Sequence, residues 1–267
     1  MLGKLMKHEF RATRRVMLPL YLILLVTAVA ANFSTRMLFD SRHWVLTTLG
    51  TLLVISFGVA VAGVCVMPVL LMVQRFYKNL LQDEGYIMLT LPASIHQHVW
   101  AKLIVSAAWF VVTVVVVIAA GCVMAFDIGV IRDFFEGLWD LLWELRKLEA
   151  FYAFNGVGYL AELAALAFFG LAAMCLQFYA ALAIGHSAAN HKMVCSVGAF
   201  FALQFATQFL ASTGLYQLSF VNWPGWQISG MAAIHVGMLV ALVCVVVYGA
   251  IFYAVTVYFL NRRLNLE

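Results

Sequence analysis

The chain has 267 residues, 65% of them hydrophobic and only 10% charged, with a mean hydropathy of +0.99 and a formal net charge of +4. A soluble globular domain is roughly 45–50% apolar and about 25% charged, so the composition excludes an ordinary water-soluble enzyme and describes a polytopic membrane protein. The positive excess lies at the ends of apolar runs, where it reads as a topology signal and gives no ground for nucleic-acid binding.

Residues 1–16 predict an interfacial amphipathic helix. Leu2, Leu5, Met6, Phe10, Thr13 and Val16 recur at helical spacing, and Lys4, Lys7, Arg11 and Arg14, with Arg15, supply a basic face for anionic lipid head groups. A helix needs roughly 20 apolar residues to cross a bilayer core of about 30 Å. Six runs qualify: 17–33, 45–73, 103–126, 151–184, 193–211 and 230–260. Pro19 falls near the start of the first, where proline is tolerated. The basic start and Ala28-Val29-Ala30 loosely fit a cleavable signal, but the basic stretch is amphipathic and long for that role.

The second run is longer than a bilayer requires and is expected to emerge from it, continuing in helical register through QRFYKNLLQDE to a stop at Gly85. Residues 74–102 thus form a polar interruption between two spans. Pro92 breaks the chain again, and Ser94 with Gln97 forms an S-x-x-Q capping box that restarts a helix into span three. At the tip, Tyr86, Ile87, Met88 and Leu89 are apolar beside Asp83 and Glu84, as a knob entering a cleft on another protein would be; folding back on its own helices is the alternative.

Residues 131–149, within an outer segment 127–150, predict an amphipathic helix. Ile131, Phe134, Phe135, Leu138 and Leu142 share its apolar face, and Trp139 and Trp143 suit head-group depth. Glu162 is the one acid deep in an apolar run; intramembrane acids are functional hypotheses by default. Gln177, Gln204 and Gln208 are its candidate companions along a translocation path or polar site, and a protonated packing residue is the alternative. The second outer segment, 212–229, holds the turn Trp223-Pro224-Gly225-Trp226 and is short and apolar enough to dip into the membrane.

Lys and Arg set the orientation. Lys4, Lys7, Arg11, Arg14, Arg15, Arg75, Lys78, Lys102, Lys192, Arg262 and Arg263 fall on one side, eleven of the sixteen basic residues, so both termini are expected in the cytoplasm. The five cysteines lie singly in apolar runs and form no metal or redox motif. The serine in Gly185-His186-Ser187 lacks the G-x-S-x-G frame, His186 and His191 lack an acid or cysteine nearby, and no phosphate-binding G-x-x-x-x-G-K-[ST] occurs. The chain is therefore read as having no catalytic residues and no metal site, with any use of ATP left to another chain.

Over its first 105 or so residues, through MLGKLMKHEFRATRRVMLPLY and RFYKNLLQDEGYIMLTLPASIHQHVWAKLI, the sequence resembles the permease subunits of bacterial type-two ABC transporters. The resemblance implies one all-α transmembrane domain over 1–267, in the bacterial cytoplasmic membrane. It also implies that residues 79–91 couple the chain to a separate ATPase present in two copies, which binds ATP and Mg. The docking positions would be Asn79, Asp83, Glu84, Gly85, Tyr86, Met88 and Leu91. A second permease protomer, identical or related, would complete the path. Such permeases commonly export hydrophobic or amphipathic cargo, including peptides, lipids and drugs, and some give resistance to antimicrobial peptides. The outer helix 131–149 is more elaborate than the simplest members carry. Rival readings are a membrane sensor whose loop binds a signalling partner and an intramembrane enzyme.

Overall fold

The computed structural model describes residues 2–38, 43–81, 94–125, 128–152, 156–188, 191–220 and 230–262. They form α1 (Leu2–Phe33), α2 (Trp44–Phe76), α3 (Ile95–Met124), α4 (Ile128–Tyr152), α5 (Gly156–Gly185), α6 (Lys192–Phe220) and α7 (Gly230–Arg262). Single π-helical turns, Ser34–Leu38 and Tyr77–Leu81, extend α1 and α2. Six of these stretches are long and apolar enough to cross a membrane: Leu2–Met37, Trp44–Leu81, Ile95–Met124, Gly156–Gly185, Lys192–Thr213 and Ile234–Asn261. The chain is an all-helical membrane protein in its described residues, with the six spans its hydropathy predicts. At 1.5 Å per residue, Trp44–Leu81 runs roughly 57 Å, well beyond a hydrocarbon core of about 30 Å.

The helices group into two compact units, one made of Met1–Gln74 and Trp100–Leu145, the other of Arg75–Val99 and Arg146–Glu267. In the first, α1 is one unbroken helix from Leu2, with Pro19 in its interior, where the sequence predicts an interfacial piece and a separate span. The reason is its buried stripe. Glu9, Thr13, Met17, Tyr21, Leu24, Ala28 and Ala31 recur every three or four residues straight across the expected junction. The stripe packs on Val64 and Leu71 of α2 and on Val105, Trp109 and Ala120 of α3. Polar ties between α1 and α3 follow the same seam. Lys102 Nζ donates to Glu9 Oε1 at 2.6 Å, Trp109 Nε1 to Thr13 Oγ1 at 2.7 Å, and Asn32 Nδ2 to the Met124 carbonyl at 2.8 Å. The Tyr21 and Thr113 hydroxyls lie 2.8 Å apart, sharing a hydrogen bond.

In the second unit α5 packs along α7 and, over a shorter length, along α6. Small residues on α5 (Ala173, Ala180, Ala181, Ala183 and Gly185) are buried there and let the backbones come close, as lipid-embedded helix pairs require. A methyl group added at Gly249 of α7 would meet Ala173 Cβ at an ordinary 3.6 Å. One added at Gly185 would overlap the backbone and hydroxyl of Ser196 on α6. Residues 212–220, expected to be irregular, continue α6 as helix to Phe220. Residues 131–149 lie within α4, which runs three residues further at each end, with every side chain from Arg132 to Glu144 exposed.

Candidate functional site

The polar interruption between spans two and three has its roots in the second unit. At its entry α2 ends on Phe76, which is fully buried and stacks on Tyr179 of α5 with ring centroids 4.2 Å apart and planes 9° from parallel. The π turn that follows widens the helix and turns Tyr77 edge-on to His186, at 5.0 Å. It also buries Asn79, Leu80 and Leu81. A π turn is an irregularity that often marks a functional place in a helix. At the exit, Ser94 caps α3: the Gln97 amide donates to Ser94 Oγ at 3.4 Å and to the Ser94 carbonyl at 2.9 Å. Only this half of the predicted capping box is made, since Gln97 Oε1 is buried with no hydrogen-bond partner. Two residues into the helix, His96 Nδ1 lies 2.5 Å from the Tyr253 hydroxyl of α7. Entry and exit are thus fastened to α5 and α7.

The α5–α6 turn completes this end of the unit. The amides of His186, Ser187 and Ala188 donate back to the carbonyls of Leu182, Ile184 and Gly185, closing α5. The turn leads to His191, which takes the left-handed conformation at φ 55° and accepts the Cys195 amide as α6 begins. His186 is buried and its Nδ1 has no hydrogen-bond partner. Burial, and after it the charge of Lys192, hold its imidazole below the ordinary value of 6.5, against an opposing pull from the Leu182 hydrogen bond.

A second polar group lies toward the opposite ends of α5 and α7. His235 Nδ1 sits 2.9 and 3.0 Å from the two carboxylate oxygens of Glu162, and the Tyr159 ring lies against the His235 ring at 3.5 Å between centroids. Gln177 and Gln204, grouped with Glu162 by sequence, instead meet each other, with Gln177 Nε2 donating to Gln204 Oε1 at 2.8 Å. Glu162 and Gln177 are 15 residues apart on one helix, roughly 22 Å along its axis, so their side chains do not meet. Gln208 is exposed on α6.

Of the predicted docking positions only Asn79 falls within the described residues, and it is buried at the loop's root. Asp83, Glu84, Gly85, Tyr86, Met88 and Leu91 lie outside them, as do residues 221–229 of the second outer segment. Among the predicted basic face, Lys4, Lys7, Arg11, Arg14 and Arg15 are all exposed on α1. Sequence reasoning missed His235, although it is the one histidine in the last apolar run and an ionisable group within a span is a signal. It also missed Tyr179 and His186 as the seats of the loop's entry. No protein-family model matches the chain, and neither a curated protein nor a solved structure does.

Proposed function

We propose that the chain is the membrane-spanning subunit of an ATP-driven transporter, worked by separate ATPase subunits that grip residues 79–91. The observation that carries this reading is the double fastening of that segment. Phe76 on Tyr179, Tyr77 on His186 and His96 on Tyr253 tie its two ends to α5 and α7. A partner that pushes on the segment therefore pushes on α5 through the buried Phe76–Tyr179 stack and on α7 through the exposed His96–Tyr253 contact. The same helices are tied again by Glu162 and His235, roughly 26 Å further along α5 from Tyr179. Movement imposed at one end is delivered as relative movement of a helix pair at the other, where a polar pair lines the interior of an apolar span. Closure of the ATPases on nucleotide would bias the helices between two arrangements, which is how a bound ligand does work on a protein.

In this reading both termini and residues 74–102 face the cytoplasm of a bacterial cell, in keeping with the basic bias of that side. A second permease protomer completes the path, and the cargo is hydrophobic or amphipathic and moves outward. The test is affinity purification from gently solubilised native membranes, scored for a co-purifying ATPase of roughly 25–35 kDa, the size of one nucleotide-binding domain with extensions. Recovery that is abolished by the triple change Asp83→Lys, Glu84→Lys and Tyr86→Ala supports the assignment. A preparation that carries no ATPase, or carries it undiminished in the triple variant, refutes the docking site.

A further inference from the structure

We propose that the groove between the basic end of α1 and the facing part of α3 is a binding site for an anionic phospholipid. The groove has a volume of about 510 Å³, and its lining joins two chemistries. Lys7, Arg11 and Arg14, spaced four and three residues apart, stand on one face of α1; Met6, Phe10 and Ile104 supply an apolar wall beside them. Phe10 is held in place by stacking on Trp109, with centroids 4.7 Å apart and planes 11° from parallel.

Charge decides the class of ligand. Glu9 is the one acid in residues 1–39, and it is buried on the other side of the helix, bonded to Lys102. It is spent there, and no carboxylate is among the described residues that line the groove with the three bases. Arginine forks match phosphate oxygens two at a time, and lysine adds a point charge. A zwitterionic head group brings its own cation to this place and gains less from it.

The apolar side decides the source of the phosphate. The face that carries the three bases continues along the unbroken α1 as Leu18, Leu22, Leu25, Val29 and Phe33, all exposed. Leu22, Leu25, Val29 and Phe33 line a second, wholly apolar hollow together with Leu53 of α2. From Arg14 to Leu25 is eleven residues, roughly 16 Å of helix and about half the thickness of a hydrocarbon core. A phosphate at Arg14 thus places its acyl chains along an apolar track one leaflet deep. Inorganic phosphate would use the bases and leave the track bare. The site lies in the first unit and depends in no way on an ATPase partner.

The experiment is native mass spectrometry of the purified full chain in detergent, titrated with phosphatidylglycerol and with phosphatidylcholine of the same acyl chains. Wild type is expected to hold phosphatidylglycerol at a concentration roughly tenfold or more below that needed for phosphatidylcholine. Each base near an anionic lipid contributes about a fivefold factor, so Lys7→Gln, Arg11→Gln and Arg14→Gln together should weaken retention by roughly a hundredfold. The pair Lys4→Gln and Arg15→Gln, on the same helix but outside the groove, should keep it. Ala108→Trp, which fills the groove with the bases intact, should lose it while circular dichroism shows an unchanged helix content. Equal retention of the two lipids by wild type overturns the proposal. So does an equal loss in the Lys4 and Arg15 variant, which would mean diffuse attraction, or release of phosphatidylglycerol by millimolar inorganic phosphate, which would mean a simple anion site.

Discussion

Substituting Glu9 by Gln removes the carboxylate to which the buried Lys102 ammonium donates. The two side chains are 8% and 4% exposed and 2.6 Å apart, so solvent neither screens the pair nor rehydrates a survivor. Breaking such a pair from one side costs about 3–5 kcal/mol, most of it the desolvation of the charge left behind. Lys102→Met alone should cost a similar amount by stranding the carboxylate. The double variant removes both charges and keeps both side-chain volumes, so it should lie within about 1 kcal/mol of wild type or above it in stability. The assay is unfolding of the purified chain in mixed detergent micelles of rising denaturing-detergent fraction, followed by circular dichroism, with the four proteins compared as a cycle. A coupling near the full single-variant cost is expected. Single variants that lose less than about 1 kcal/mol, as a surface pair would, refute the claim that α1 and α3 are joined by a buried charge pair. A double variant that loses the sum of the two does the same.

Gly185→Ala should destabilise the α5–α6 turn by about 1–3 kcal/mol, because the new methyl overlaps the Ser196 backbone, whereas Gly249→Ala, at ordinary contact with Ala173, should be tolerated; thermal midpoints in detergent compare them. Truncating either member of the Phe76–Tyr179 stack, both fully buried, should cost about 3–5 kcal/mol and, on the proposed function, leave the ATPase bound but its turnover no longer coupled to transport, read by pull-down and ATPase rate together. His186 has a folded-state pKa below its unfolded value, so the unfolded chain binds the extra proton: its contribution is present above about pH 6.5 and is lost as pH falls from there through the lower folded-state value. Unfolding measured between pH 7.5 and 5 should show this loss, and His186→Phe, which keeps an edge for Tyr77, should flatten that part of the profile. Glu162→Gln should alter cargo-stimulated turnover without lowering membrane levels; unchanged turnover returns the Glu162–His235 pair to packing.

The six spans were legible because hydropathy over some twenty residues is a sum, indifferent to which face is buried. The continuity of α1 was not, since its buried stripe includes, beside Thr13, Glu9, an acid that composition places on the outside. Only the partners on α3, a lysine for the acid and an indole N–H for the hydroxyl, make those positions interior, and they lie more than ninety residues away. The candidate site divides the same way. A polar, aromatic break between two spans was plain in the sequence, and Glu162 stood out as an acid in an apolar run. That Phe76 seats on Tyr179 was invisible, because both sit in helices apolar all round, where no periodicity singles out a contact face. The contact of Glu162 with His235 was hidden for a different reason: polarity points to the glutamines, while the helix rise puts Gln177 out of reach of Glu162.

These ties answer a problem peculiar to lipid. An apolar side chain gains little by leaving lipid for another helix, so apolar packing alone does not fix which turn of one helix faces which turn of the next. Each unit supplies that register with polar and steric markers at separated heights. In the first, Glu9–Lys102, Thr13–Trp109, Tyr21–Thr113 and Asn32 to the Met124 carbonyl span nearly the whole of α1, so sliding α3 by one turn breaks all four together. In the second, α5 and α7 share Glu162–His235, α5 and α6 share Gln177–Gln204, and Gly185 leaves room for nothing but Ser196. The two sets differ in kind. Among the described residues the α1–α3 seam holds four hydrogen bonds, one a buried ion pair, whereas α5 meets α7 and α6 through Glu162–His235, Gln177–Gln204 and a surface of small residues. It is to α5 and α7 that Phe76, Tyr77 and His96, on either side of residues 82–93, are fastened.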